Sequence, residues 1–171
     1  MNSSEDNSGP FDPKSSHYGV AYPAPFDLMA IALCQSATRQ IRILSPRLDH
    51  RAFDNTALAD VLSALARRDS HSRVQLLISD SGPIVNRGHR LLSLARRVPS
   101  SIAIRKLADH PEMTGETVVL RDLDGVLFMP SDEGPGFYEP DSRASAQTFI
   151  DKFDALWQRG AQDPEFRRLG L

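Results

Sequence analysis

Residues 116–130 read ETVVLRDLDGVLFMP. Two runs rich in β-branched and aromatic residues, TVVLRD (117–122) and GVLFMP (125–130), join through Leu123 and Asp124, and Asp124-Gly125 marks a tight hairpin turn. Upstream, IRILS (41–45) and RVQLLIS (73–79) are short apolar runs of the kind that form buried strands, and IAIRKL (102–107) alternates like a half-buried one. Helical patterns separate these runs. Asp27 is positioned to cap LMAIALCQSATRQ, and Asp54 or Asn55 to cap a helix in which Leu58, Val61, Leu62 and Leu65 recur to about Arg68. A helix from about Val85 to Arg97 presents Leu91, Leu92, Leu94, Ala95 and Val98 on one side before Pro99 stops it. The last helix, about Ala144 to Arg159, buries Phe149, Phe153, Leu156 and Trp157. This order predicts an α/β domain, a mixed sheet flanked by helices.

The chain has 171 residues, 40% hydrophobic and 25% charged, which suits a single globular domain. Residues 1–25 carry four prolines among Ser, Asn, Gly and Asp and are expected to form a mobile N-terminal arm, with the domain proper over 26–171. No apolar run approaches the roughly 18 residues of a membrane span, and the N-terminus lacks the apolar core of a secretory signal. A cytoplasmic protein without membrane contact is therefore expected. The single cysteine, Cys34, excludes a disulfide framework and a Cys-based zinc site, and on its apolar helix face it is expected to be buried and inert.

The net charge of −2 conceals a division along the chain. Residues 1–38 sum to −3, residues 39–105 to +7 and residues 106–171 to −6. Seventeen of the twenty basic residues are Arg, whose planar fork binds carboxylates and phosphates bidentately. The middle segment therefore either binds an anion or faces the acidic C-terminal third, within the chain or across a dimer contact. The overall acidic balance argues against nucleic acid as a partner.

The segments ATRQIRILSP, RVQLLISD, SIAIRKL, ETVVLRDLDGVLFMP and FIDKFDALW together resemble, over residues 26–160, one half of the phospholipase D superfamily. That resemblance implies a site built on H-x-K-x4-D followed by G-S-x-N, with the histidine as nucleophile for a phosphoryl group and the lysine neutralising its charge. Laid on Asp122, the histidine position falls on Gly115 and the lysine position on Thr117. The later positions fall on Met129, Pro130 and Asp132. No H-x-K occurs anywhere in the chain, so the superfamily's phosphodiesterase activity is not expected. A single half also resembles the dimeric members, which implies a homodimer. The chain is similar, too, to a bacterial group of such degenerate domains with relatives joined to acetyltransferase-like domains, which implies an accessory role.

Several clusters carry candidate chemistry. The loop Ser45-Pro46-Arg47-Leu48-Asp49-His50-Arg51 follows the first strand of the α/β region, where open α/β sheets place ligands, so Arg47 is a candidate anion ligand and Asp49 its orienting partner. Asn86-Arg87-Gly88-His89-Arg90 reads as a helix opening whose free N–H groups favour anions, with Arg87, His89 and Arg90 adding charge. His110, before Pro111, lies in a loop approaching the expected site and is a candidate support or general base. Asp122, Asp124 and Glu116 are close carboxylates that read as turn residues rather than a cation site. Neither spaced glycines nor a metal-ligand pattern calls for a cofactor or metal. The favoured expectation is a non-catalytic binding or regulatory module for a phosphate- or carboxylate-bearing small molecule. Two alternatives stand beside it: a hydrolase or transferase with a rebuilt site using His110 or His89, and an accessory domain docking on an acyltransferase or nucleic-acid enzyme.

Overall fold

The computed structural model describes residues 11–168. Its strands are β1 (His17–Val20), β2 (Gln40–Leu44), β3 (Arg73–Ile78), β4 (Ile102–Lys106), β5 (Thr117–Arg121), β6 (Gly125–Met129) and β7 (Gly136–Glu139). The helices are α1 (Phe26–Gln35), α2 (His50–Phe53), α3 (Thr56–Arg68), α4 (Gly82–Arg87), α5 (Arg90–Arg97), α6 (Arg143–Arg159) and α7 (Glu165–Arg168). One seven-stranded sheet runs in the order β1-β7-β6-β5-β2-β3-β4. The β2, β3 and β4 strands are parallel, whereas β5, β6, β7 and β1 pair antiparallel. The expected mixed sheet flanked by helices is the one observed.

Period-two alternation divides the core. Ile41, Ile43, Val74, Leu76, Val119 and Leu127 point into a cluster with α1, α3 and α5. Leu44, Leu77, Val118, Leu120 and Val126 point to the other face, which α6 closes with Ile150, Phe153, Leu156 and Trp157. Burial on both faces is the reason these strands read as mostly apolar runs. Phe149 is only partly buried, and Ile150 takes the core position beside Phe153. Arg42, on the α6 face of β2, is 7% exposed and donates to Asp154 at 3.0 Å, so one ion pair pins α6 across the sheet.

The structure differs from the sequence reading at several elements. Residues 1–10 of the expected arm lie outside the described residues, but 17–20 form β1, which pairs with β7, and Tyr138 donates its hydroxyl to the Pro13 carbonyl. A domain boundary at residue 26 therefore falls inside the packed unit, because edge pairing to β7 satisfies the β1 backbone and Val20 is buried in the core. The helix expected over 85–97 is two helices. Gly88 separates them at φ +73, a conformation that continues no right-handed helix. The α1 helix starts at Phe26, so Asp27 lies in its first turn and is not the cap.

Candidate functional site

The hairpin decides where the cleft can be. Arg121 and Gly125 close β5 and β6, and Asp122, at φ +47, turns its carboxylate back on the residues leading into β2. One oxygen accepts from Thr38 N and Thr38 Oγ1 at 3.0 Å, the other from Arg39 N and Gln40 N at 2.9 Å. Burial alone would push this carboxyl up, but those donors outweigh it and hold it below its ordinary value. Asp122, the only position of the resembled motif that keeps its residue, thus fastens the hairpin to β2. Asp124 pairs with Arg121 at 2.7 Å, so both aspartates serve the turn.

At the opposite end of these strands lies a cleft of about 430 Å³. Thr117 and Met129 pair across β5 and β6, and Ser45 follows the Leu44–Val118 pair, so these three line adjacent strand ends. Gly115 and Pro130 line it as well. Four positions of the resembled motif, Gly115, Thr117, Met129 and Pro130, therefore border one hollow, with no histidine or lysine among them.

The β2–α2 loop forms one wall. Ser45 Oγ accepts from Leu48 N, and Leu48 sits at φ +49 with its side chain fully buried, which turns Arg47 outward and Asp49 inward. Arg47 is 66% exposed at its side chain and stands 3.6 Å from Asp80, a loose surface pair. Asp49 caps α2 and gathers Tyr22 Oη (2.7 Å) and Arg51 (Nε at 3.0 Å, a terminal nitrogen at 2.7 Å). Burial pushes the Asp49 carboxyl up, but Arg51 and Tyr22 prevail and keep it ionised. The Tyr22 hydroxyl is pushed well above its ordinary value, first by burial and then by that carboxylate. Arg51 also donates to Glu133 at 2.8 Å, from the β6–β7 loop, and lies 5.2 Å from the centre of the Tyr22 ring. Two carboxylates thus neutralise Arg51.

Arg87, in the last turn of α4, lines the cleft and has no hydrogen bond or ion pair among the described residues. His50 lines it too, its Nε2 donating to the Gly88 carbonyl at 2.8 Å. The structure thus places Arg47, Asp49 and Arg87 together at the strand ends.

The other candidates lie elsewhere. His89 is 5% exposed and caps α5: its Nδ1 accepts from Leu91 N at 3.0 Å, and its Nε2 donates to the Leu48 carbonyl at 3.0 Å. Burial pushes its pKa down to about 4, so it is neutral at pH 7, with both nitrogens engaged. The N-terminus of α5 is also filled from within, because Asp54 accepts from Arg90 N at 3.0 Å and pairs with the Arg90 side chain at 3.2 Å. The helix opening read as an anion site is therefore closed by the chain's own carboxylate. His110 is outside the cleft, its Nδ1 accepting from Glu112 N. Cys34 is buried, and burial pushes its thiol up to about 12. Sequence reasoning missed Tyr22, His50, Arg51 and Glu133. His50 and Arg51 stood in the loop already singled out, whereas Tyr22 and Glu133 come from distant segments that no spacing connects.

Among the described residues no cluster of three or more His, Cys, Asp or Glu side chains could hold a metal ion, and no helix is long and apolar enough to cross a membrane. The sheet order, the helices on both faces and the cleft at the strand ends make this a phospholipase D-like fold. Nuc from Salmonella typhimurium, a phospholipase D family member, superposes with a TM-score of 0.61 at 17% identity, over 86% of this chain and 96% of Nuc. NucT from Helicobacter pylori gives 0.65 at 12% identity, over 87% and 99%. TrmBL2, an archaeal chromatin protein, gives 0.61 at 11% identity, over 87% of this chain and 54% of its own. No curated protein matches the sequence. The chain belongs to the family described as "Domain of unknown function (DUF7931)", which matches residues 23–169.

Proposed function

We propose that this domain is a non-catalytic binding module whose cleft takes a phosphate- or carboxylate-bearing ligand between Arg47 and Arg87. One observation carries the reading. A cleft lies at the strand ends of this phospholipase D-like fold, but the positions resembling the nucleophile and the phosphate-neutralising lysine are Gly115 and Thr117. A site without a nucleophile at the reacting position but with two guanidinium groups at its rim retains recognition and loses the means of phosphoryl transfer. Ser45, whose oxygen is occupied by Leu48 N, still has a hydroxyl proton to donate, and Thr117 lines the same cleft. The burial of His89 and the position of His110 outside the cleft count against a rebuilt hydrolase using either residue.

The test is calorimetric titration with inorganic phosphate and with a dicarboxylate, alongside a phosphodiesterase assay on a chromogenic diester. The expected result is binding that Arg87→Ala weakens by about tenfold, the worth of one charged hydrogen bond, with the melting temperature unchanged. Turnover of the diester by the unmodified protein, lost on replacing His50, would overturn the non-catalytic assignment.

A further inference from the structure

Arg87 borders two hollows, the cleft and a groove of about 460 Å³ between α3 and α5. The groove is lined by Arg90 and Arg97, two turns apart on α5, with the hydroxyl residues Ser93 and Thr56. Arg97, like Arg87, has no hydrogen bond or ion pair among the described residues. Arg90 is held by Asp54, which leaves Asp60 as the second carboxylate of the groove against two unpaired guanidinium groups. Gly88 lies beside Arg87 on the groove side. A Cβ built there would meet no heavy atom within 4 Å, so no side chain crowds this peptide, and its carbonyl is fastened by His50 Nε2.

We infer that the groove is a second anion subsite and that the ligand is a short linear oligophosphate chain, one phosphoryl group between Arg47 and Arg87 and another between Arg87 and Arg97. This rests on the cleft being an anion site, as proposed above. Guanidinium groups bordering both hollows, with Arg87 common to the two, suit in-line phosphoryl groups better than a single compact anion. Each added phosphoryl group brings charge-assisted hydrogen bonds that one orthophosphate cannot make at both places. Arg47 and Arg87 serve the inner group, Arg97 and Ser93 the outer one, and Arg87 is shared.

The experiment compares inorganic orthophosphate with inorganic tripolyphosphate by calorimetry at fixed ionic strength. Unmodified protein is expected to bind tripolyphosphate at least about tenfold more tightly. Arg97→Ala is expected to remove most of that gain without altering orthophosphate affinity, whereas Arg87→Ala weakens both ligands. Arg143→Ala is the control for general charge, because Ser142 N bonds to the Asp124 carbonyl at the hairpin end, opposite the cleft. A nucleoside triphosphate identifies the source: equal affinity with tripolyphosphate supports a free oligophosphate chain, and tighter binding supports a nucleotide tail. Tripolyphosphate binding no tighter than orthophosphate, or an equal loss from Arg97→Ala and Arg143→Ala, overturns the second subsite but leaves the cleft reading standing. Failure of either anion to bind in a manner sensitive to Arg87 overturns both.

Discussion

Lowering the pH should destabilise the protein through His89, well before its paired carboxylates protonate. His89 is buried as a neutral cap with both nitrogens committed, and burial takes its pKa from the ordinary 6.5 to about 4. The folded-state value is depressed, so the neutral form's contribution is complete above pH 6.5 and is lost as the pH falls toward 4, because the unfolded chain takes up the proton first. At about 1.4 kcal/mol per unit, the full loss is about 3 kcal/mol, of which about 2 kcal/mol falls between roughly pH 7.5 and pH 5. The assay is urea unfolding followed by circular dichroism at those two values, for the unmodified protein and for His89→Asn. Asparagine is a strong N-cap and does not titrate, so the variant should start less stable and show a pH loss smaller by about 2 kcal/mol. The other four histidines are common to both proteins and cancel in the difference. Identical pH dependence in the two proteins would refute the reasoning. So would an imidazole titration by NMR that puts His89 at or above 6.5.

Three further outcomes follow from the packing and the cleft. Asp122→Ala should lower the unfolding free energy by about 2–4 kcal/mol, because three backbone N–H groups entering β2 lose their acceptor, and thermal melting would report it. Gly136→Ala should destabilise by at least about 3 kcal/mol, since its Cβ would stand 2.2 Å from the Phe128 carbonyl oxygen; a melting temperature within a degree or so of the original would contradict that geometry. Glu133→Gln should tighten orthophosphate binding about three- to tenfold by freeing Arg51 from its second carboxylate, measured by calorimetry, and weaker binding would mean that Glu133 positions Arg51 instead of occupying it.

The sequence alone determined the scaffold. The hairpin, the strands of the α/β region and the helical stripes are local signals, set by side-chain period and turn chemistry within some ten residues, and residues 41–45, 73–79 and 102–107 announced strands that the sheet contains. The missing H-x-K was equally legible, because it is a matter of residue identity. Arg47 and Asp49 could be named as candidates because they sit in the loop that follows β2, and Arg87 because its segment read as a helix opening. Only the tertiary structure decided which candidates meet. His89 and Arg87 are two residues apart, yet the break at Gly88 turns one into the core as a cap and leaves the other at the cleft. Tyr22, Arg51 and Glu133 converge from segments up to 111 positions apart, through strand pairings that no local pattern encodes. The β1 and β7 strands escaped for the same reason: HYGV and GFYE are too short and mixed to signal themselves, and it is the ladder between them that makes each a strand.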